Sequence, residues 1–332
     1  MQSRLYTLLL SLVVVGSAVV AFGISGLLVA AILVASVEFL RSAQSPGQEA
    51  KNVVIVLLCW LLLGLLLPFY QEARDSNRRS SCWNNLRQLS LALRGYHQHY
   101  GCFPPAYVAD KDGKPMHSWR VLILPFLEYR NVFDQYDFNE PWNGPQNRKL
   151  AKLRPRLFAC PSDAVAATPE NCITNYMAVV GAKTAWPGNT PTKLSDFASD
   201  GGNTILLVEV GGSDINWMEP RDLTFDEACR GINKNVKMGI SSPHGSDAGT
   251  FSSSKKVAIA AFADGNVHFL PEDVAPEDLE SMLTRESANA VYLDPRRPSK
   301  LGAIEVVAMI VMIVSALLLL ARPRKRGVAV AA

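Results

Sequence analysis

The residue types able to do chemistry are scattered along this chain. His97 and His99 stand two apart in a stretch with helical spacing, so they point to different faces and cannot jointly hold a metal. They read as surface polar residues. His244 lies beside Ser242, Ser246 and Asp247 in a stretch rich in Ser, Gly and Pro. Those types could build a nucleophilic site, but no Gly-x-Ser-x-Gly elbow and no spaced partner accompanies them. Glu209, Glu219, Asp222, Asp226 and Glu227 form an acidic region with the ligand chemistry for calcium. It lacks EF-hand spacing, so a solvated face is expected. Gly201-Gly202 and Gly211-Gly212 flank an apolar run and read as turns, not as a phosphate cradle. Trp119, Trp142, Trp186 and Trp217 could line a ligand or partner groove, though core and loop-anchoring roles are the commoner use of such aromatics. No catalytic, cofactor-binding or metal-binding set emerges, no cofactor is implied, and the chain reads as a non-enzyme.

Six cysteines are present. Cys59 falls in an apolar run and reads as a small hydrophobe. Cys82, Cys102, Cys160, Cys172 and Cys229 are an odd set, so at least one stays free or pairs between chains. No CxxC spacing occurs, which argues against zinc and thioredoxin-type chemistry. Their pairing is left open by the spacing. The net charge of +3 gives no case for nucleic-acid binding.

The stretch that must position everything else is Asn52 to Gly101. Val53 to Leu67 is apolar; after Pro68 the chain turns polar without losing helical character. Cys82, Leu86, Leu89, Leu93, Tyr96 and Tyr100 then recur at spacings of four and three, on one helical face. Gly101 and Pro104-Pro105 supply a stop. One helix of this extent would run about 75 Å at ~1.5 Å per residue, far beyond the ~30 Å of bilayer hydrocarbon. Its first half is therefore expected in a membrane and its second half in a domain outside.

Two further blocks have membrane character: Tyr6 to Phe39, with Glu38 its one charge, and Leu301 to Ala321, with Glu305 its one acid. The first is long for one span and short for two. Gly23, Ser25 and Gly26 suit a tight hairpin, which is favoured over one tilted helix; a cleaved signal peptide is the less favoured reading. Arg322, Arg324, Lys325 and Arg326 follow the last block, placing the C-terminus in the cytoplasm and Gln71 to Lys300 outside. Arg41 and Lys51 agree with a cytoplasmic loop, while Arg74, Arg78 and Arg79 argue weakly against it. The expected organisation is 1–51 membrane region and cytoplasmic loop, 52–101 long helix, 102–300 extracytoplasmic head, and 301–332 membrane helix with basic tail.

Within the head, Ser118 to Tyr136 reads as helical with a kink at Pro125. Asp137 to Gln146 is a loop. Arg148 to Leu153 reads as a short helix, and Phe158 to Asp163 as a strand end and turn. Asn175 to Val180 and Thr204 to Val210 read as strands. Asp222 to Gly231 reads as a short helix ending at glycine, and Ser241 to Ser254 as a mobile loop. Ala263-Asp264-Gly265 between Lys256–Phe262 and Asn266–Leu270 is a hairpin signal. Pro276 to Glu286 closes the head as a helix. The fold class is α+β: an antiparallel sheet wrapped on the long helix's apolar stripe, with additional transmembrane helices.

Several stretches resemble a known family. Arg78-Arg79-Ser80-Ser81-Cys82-Trp83-Asn84-Asn85-Leu86-Arg87-Gln88-Leu89 comes first, with Tyr96-His97 and Phe103-Pro104-Pro105-Ala106 after it. Ser118-Trp119-Arg120-Val121-Leu122 with Leu124-Pro125-Phe126-Leu127-Glu128, Cys160-Pro161-Ser162-Asp163, Asn175-Tyr176 and Asn203-Thr204-Ile205 follow. Trp217-Met218-Glu219-Pro220-Arg221-Asp222-Leu223 and Phe262-Ala263-Asp264-Gly265-Asn266-Val267-His268-Phe269-Leu270 complete the set, in order over about Val53 to Pro271. They are similar to a pilin-like family of planctomycete bacteria, domain of unknown function fifteen-fifty-nine. The resemblance implies a head like that of type II secretion pseudopilins and no established activity. It also implies a Cys82–Cys160 disulfide clamping the head to the helix; Cys102 with Cys172 is a secondary expectation. The family's processing motif is absent before Val53, where Gln48-Glu49-Ala50-Lys51-Asn52 stands, and the extra membrane blocks depart from the pattern.

Together these readings give a membrane-anchored, non-enzymatic pilin-like scaffold or protein-interaction module. It would be a multi-pass protein of the bacterial cytoplasmic membrane, facing the periplasm. Its partners would be the lipid bilayer and an envelope protein or a second copy of itself, with no nucleic acid. The alternatives are a pseudopilin-type component of a secretion or filament apparatus, and a ligand-binding sensory module.

Overall fold

The computed structural model describes residues 45–234, 238–244 and 257–286, with a few residues between 35 and 43. Contacts divide the chain into two compact units, of which the second, Gln71–Ile304, contains the head. Its first element belongs to α1, Pro46–Tyr100, a helix that starts earlier than the expected Asn52. Cys82, Leu86, Leu89 and Leu93 are fully buried along it, as their spacing requires. Gly101, with φ of 75°, takes the left-handed turn that ends the helix, and its N–H reaches the His97 carbonyl at 2.8 Å.

The head's main sheet has five strands in the order β5-β3-β4-β6-β7. These are β3 Tyr176–Val180, β4 Ile205–Glu209, β5 Leu223–Thr224, β6 Val257–Phe262 and β7 Val267–Pro271. The β3/β4, β4/β6 and β6/β7 pairs are antiparallel. The sheet is nonetheless mixed, because β5 pairs parallel with β3. That edge pairing corrects the all-antiparallel expectation: β5 is only two residues long and runs straight into the helix Phe225–Ala228, so no alternating pattern marks it. A second small sheet, β1 Tyr107–Ala109 with β2 Pro115–Ser118, is closed by an Asp-Gly turn in which Asp110 Oδ1 accepts from the Asp112 and Lys114 amides.

Both faces of the main sheet are covered. Tyr176, Ala178, Ile259 and Ala261 belong to the apolar cluster that includes the α1 stripe. Their neighbours Met177, Val179, Ala258, Ala260 and Phe262 belong to a second cluster. That one is capped by Leu279, Met282 and Leu283 of the last helix, Pro276–Leu283. Strands buried on both faces read as continuous apolar runs, which is what Ile205–Val208 and Val257–Phe262 show.

The expected kinked helix over Ser118–Tyr136 is instead three short pieces: α2 Trp119–Leu122, a 3-10 turn Leu124–Leu127, and α3 Arg130–Phe133. Glu128, with φ of 64°, breaks the path beyond what Pro125 alone would do. Ser118 caps α2 by accepting from the Arg120 amide. The short helices Asn147–Leu150 (α4) and Phe225–Ala228 (α5) follow, so the last helix is α6. Phe158 lies in a 3-10 turn, Arg156–Phe158, and not at a strand end. The Asp-Gly hairpin joins β6 to β7, with Gly265 at φ of 93°.

The expected spans at Tyr6–Phe39 and Leu301–Ala321 lie almost wholly outside the described residues, as do most side chains of Val53–Phe69 and the loop 245–256. Among the described residues no helix is long and apolar enough to cross a membrane, so the expected additional transmembrane helices find no support there.

Candidate functional site

The register of β3 on β4 sets Tyr176 opposite Glu209, with both side chains on the face toward α1. Glu209 is therefore fully buried. This corrects its place in a solvated acidic face: the carboxylate ends an apolar strand that is covered on both sides. Beyond it the chain turns at Gly211-Gly212, and the segment at Ser241 lies alongside, its amide donating to the Glu209 carbonyl at 3.0 Å. Gly211 is needed there, because a Cβ would meet the Pro243 backbone at 3.0 Å. That close approach lays His244 over the strand end. Its Nε2 stands 3.3 Å from Glu209 Oε1, and it is itself buried.

The third and fourth members come from α1 and from the loop after Phe158. Cys82 and Cys160 form the disulfide implied by the family resemblance, closing a separation of 78 residues. Both are fully buried, and Cys160 Sγ lies 3.8 Å from His244 Nε2. The ligand atoms of Cys82, Cys160, Glu209 and His244 all lie within 4.8 Å of one another. Among the described residues Glu209 Oε2 and His244 Nδ1 have no hydrogen-bond partner, and Oε1 has only the His244 imidazole. Burial pushes the Glu209 carboxyl above its ordinary value, against the pull of His244 and of Arg79. Arg79, also buried, precedes Cys82 by one helical turn.

The loop that carries Cys160 is held by Asn175, which uses its whole amide group. Its oxygen accepts from the Cys160 amide at 2.8 Å, and its nitrogen donates to Asp163 Oδ2 at 2.8 Å and to the Val210 carbonyl at 3.0 Å. Asp163 also accepts from the Val165, Ala166 and Gly212 amides. Burial alone would raise its carboxyl, but the Ala166, Gly212, Asn175 and Val165 donors outweigh burial and hold it below the ordinary range. A polar open cavity of 540 Å³ lies beside this arrangement, lined by segments 162–164, 211–212, 233–234 and 241–243.

A second buried charge lies elsewhere in the head. Arg120 of α2 pairs with Asp222, both essentially without solvent exposure. Asp222 also accepts from Trp119 Nε1 at 3.3 Å and the Ala178 amide at 2.8 Å. Arg120 donates further to the Tyr176 carbonyl and to Ser118 Oγ. Every polar direction is filled, as a structural ion pair requires.

The other expected groups separate. His97 accepts from the Leu194 amide at 3.2 Å, while His99 lies against the Tyr100 ring, so the two indeed face apart. Glu219 pairs with Arg221, and Glu227 closes a capping box with Thr224. Trp119, Trp186 and Trp217 are fully buried, and each donates its indole N–H to an internal acceptor. They are core anchors, not a groove. Cys102 and Cys172 are free rather than paired. Each thiol rests on a local carbonyl, that of Tyr100 at 3.8 Å and that of Glu170 at 3.9 Å. Sequence reasoning missed the four-residue cluster because its members come from four separate segments. The one available signal was a carboxylate ending the apolar run Ile205–Val208.

Residues 71–277 match the family described as Protein of unknown function (DUF1559). The chain belongs to this family. Neither the curated proteins nor the solved structures contain a match to it. Family membership agrees with the motifs around Cys82, Trp119-Arg120, Cys160 and Asp222, and it brings no reaction with it. Those motifs now have a shared physical role, since each supplies a residue to one of the two buried polar centres.

Proposed function

We propose that this DUF1559 protein is a membrane-anchored, non-enzymatic interaction protein. It presents a pilin-like head on the periplasmic side of a bacterial cytoplasmic membrane. The observation that carries this reading is α1 itself, a single helix holding both the apolar run from Val53 and the buried stripe from Cys82 to Leu93. Val53, Val54 and Ile55 are 45, 55 and 42 % exposed, an apolar surface that water disfavours and lipid would accept. The Cys82–Cys160 disulfide suits an oxidising compartment. The basic residues after Ala321 favour a cytoplasmic C-terminus. The partner is an envelope protein or a second copy of the chain.

Fractionation of cells with the full chain, followed by protease treatment of spheroplasts, tests the reading. The chain is expected in the membrane pellet, with the head digested from outside and a C-terminal tag protected. Recovery of the intact chain in the soluble fraction would sink it. Crosslinking in intact cells then separates the partners: a self-ladder beside secretion proteins would favour a pseudopilin-type role, a discrete foreign band a scaffold.

A second reading is favoured by the 540 Å³ polar cavity, which could admit a small polar ligand to a sensory head. A ligand screen by thermal shift on the detergent-solubilised chain should move the midpoint if that reading holds.

A further inference from the structure

The buried carboxylate at the end of β4 has no structural explanation of the kind that Arg120 and Asp222 have. A fully buried polar atom without a partner costs roughly 1–3 kcal/mol, and such atoms in a folded protein point to an ion or ligand that completes them. Among the described residues Glu209 Oε2 is in this condition, while Oε1 has only the His244 imidazole at 3.3 Å, and the carboxylate faces two sulfurs.

We propose that Cys82, Cys160, Glu209 and His244 form a redox-gated site for one divalent metal ion of the zinc class, closed by the disulfide and opened by its reduction. Two thiolates, an imidazole and a carboxylate are ligand types that zinc accepts. The geometry agrees. Tetrahedral zinc, with bonds of about 2.0–2.3 Å, sets its ligand atoms about 3.3–3.8 Å apart. His244 Nε2 stands 3.3 Å from Glu209 Oε1 and 3.8 Å from Cys160 Sγ. The two sulfurs, now bonded to each other, must move apart, and the set as a whole, now within 4.8 Å, must settle to those spacings.

The chemistry balances. A dithiol reductant gives two electrons and two protons to the Cys82–Cys160 bond and is itself oxidised to a disulfide. The metal ion then displaces both thiol protons to solvent and takes the two thiolates, His244 Nε2 and a Glu209 oxygen. The resulting centre carries one net negative charge, and Arg79 one turn before Cys82 is placed to balance it. The polar cavity gives an ion a route in, because its wall includes Gly211, Ser242 and Pro243, which adjoin the segments bearing Glu209 and His244.

The test uses the full chain in detergent micelles, with Co²⁺ as a spectroscopic probe and Zn²⁺ in competition with a chromophoric chelator. Oxidised protein should bind neither ion tightly. Protein reduced by a dithiol without oxygen should bind one equivalent. Its cobalt form should show thiolate-to-metal charge transfer and the visible bands of a tetrahedral site. Glu209→Gln and His244→Ala should each weaken zinc binding by at least about tenfold, since even indirect loss of support at metal sites costs about 10–100-fold. Both variants keep the disulfide, so near-UV circular dichroism of their oxidised forms checks that they fold. Other cysteines remain in the chain, and the Glu209 and His244 variants exclude them as the source. No uptake by the reduced chain would overturn the proposal. So would uptake unaffected by either variant, or equal uptake by the oxidised chain.

Discussion

The head contains two buried charged centres, and they are built to opposite standards. At Arg120–Asp222 the carboxylate collects the guanidinium, an indole N–H and a backbone amide, and the guanidinium fills its remaining donors on carbonyl and hydroxyl oxygens. At Glu209–His244 the two groups pair with each other at 3.3 Å, yet among the described residues Glu209 Oε2 and His244 Nδ1 have no partner. Both centres face the α1 side of the same sheet region, through Tyr176: its carbonyl accepts from Arg120, and its side chain lies opposite Glu209. The difference teaches which of the two is architecture. A satisfied pair holds α2 and the segment before β5 onto β3. An unsatisfied one is kept despite its cost.

The comparison breaks most sharply at Arg120. Arg120→Ala leaves Asp222 buried without its cation and should cost about 3–5 kcal/mol, as removal of one partner from a buried pair does. Chemical denaturation of the oxidised protein would show it as a lower midpoint at unchanged slope. A loss under about 1 kcal/mol would mean that the pair is not structural, and the contrast would collapse.

Next in size is the disulfide. Replacing Cys82 and Cys160 by Ala opens a loop of 78 residues, and chain entropy puts the loss at roughly 4 kcal/mol. The same change removes the sulfurs beside Glu209, so zinc should give the double variant no recovery. In the reduced wild-type chain zinc should restore part of the lost stability, by ligand linkage. The two thermal midpoints, each with and without zinc, make the measurement. Equal zinc response would separate the metal from the cysteines.

How much of this was legible follows from how local each feature is. The α1 stripe from Cys82, the glycine that ends it, and the Asp-Gly hairpin between β6 and β7 are written in short spacings. The break at Glu128 was not, because a left-handed residue inside a helical pattern leaves no periodic mark. The β1–β2 hairpin left no mark, because strands of three and four residues are too short to show an alternation. The cluster around Glu209 was hidden for a different reason. It exists only once β3 pairs with β4, Ser241 lies along the strand end, and the Cys160 loop is pinned by Asn175. No spacing rule links residues that meet through three separate non-local contacts.

The smallest effects, and the most telling in sign, come from paired charge-removing variants. Asp163 has a depressed carboxyl, so its contribution is present above the ordinary carboxylate range and is lost as pH falls through its folded value. Asp163→Asn turns an NH₂ group toward the Asn175 and Gly212 donors and should cost about 1–3 kcal/mol at neutral pH. That loss should shrink toward acid, where the wild type has lost the same contribution. Glu209 has a raised carboxyl, so the sign reverses: its ionisation disfavours the folded state as pH climbs from the ordinary value through the folded one. Glu209→Gln in the oxidised protein should therefore match the wild type at acid pH and equal or exceed it at neutral pH. Thermal midpoints measured across pH 3 to 8, roughly the window that spans ordinary carboxylate titration, would show the two difference curves diverging in opposite directions. A Glu209→Gln curve that falls alongside Asp163→Asn would show that the carboxylate supports the fold after all, and Glu209 would join Asp222 as architecture.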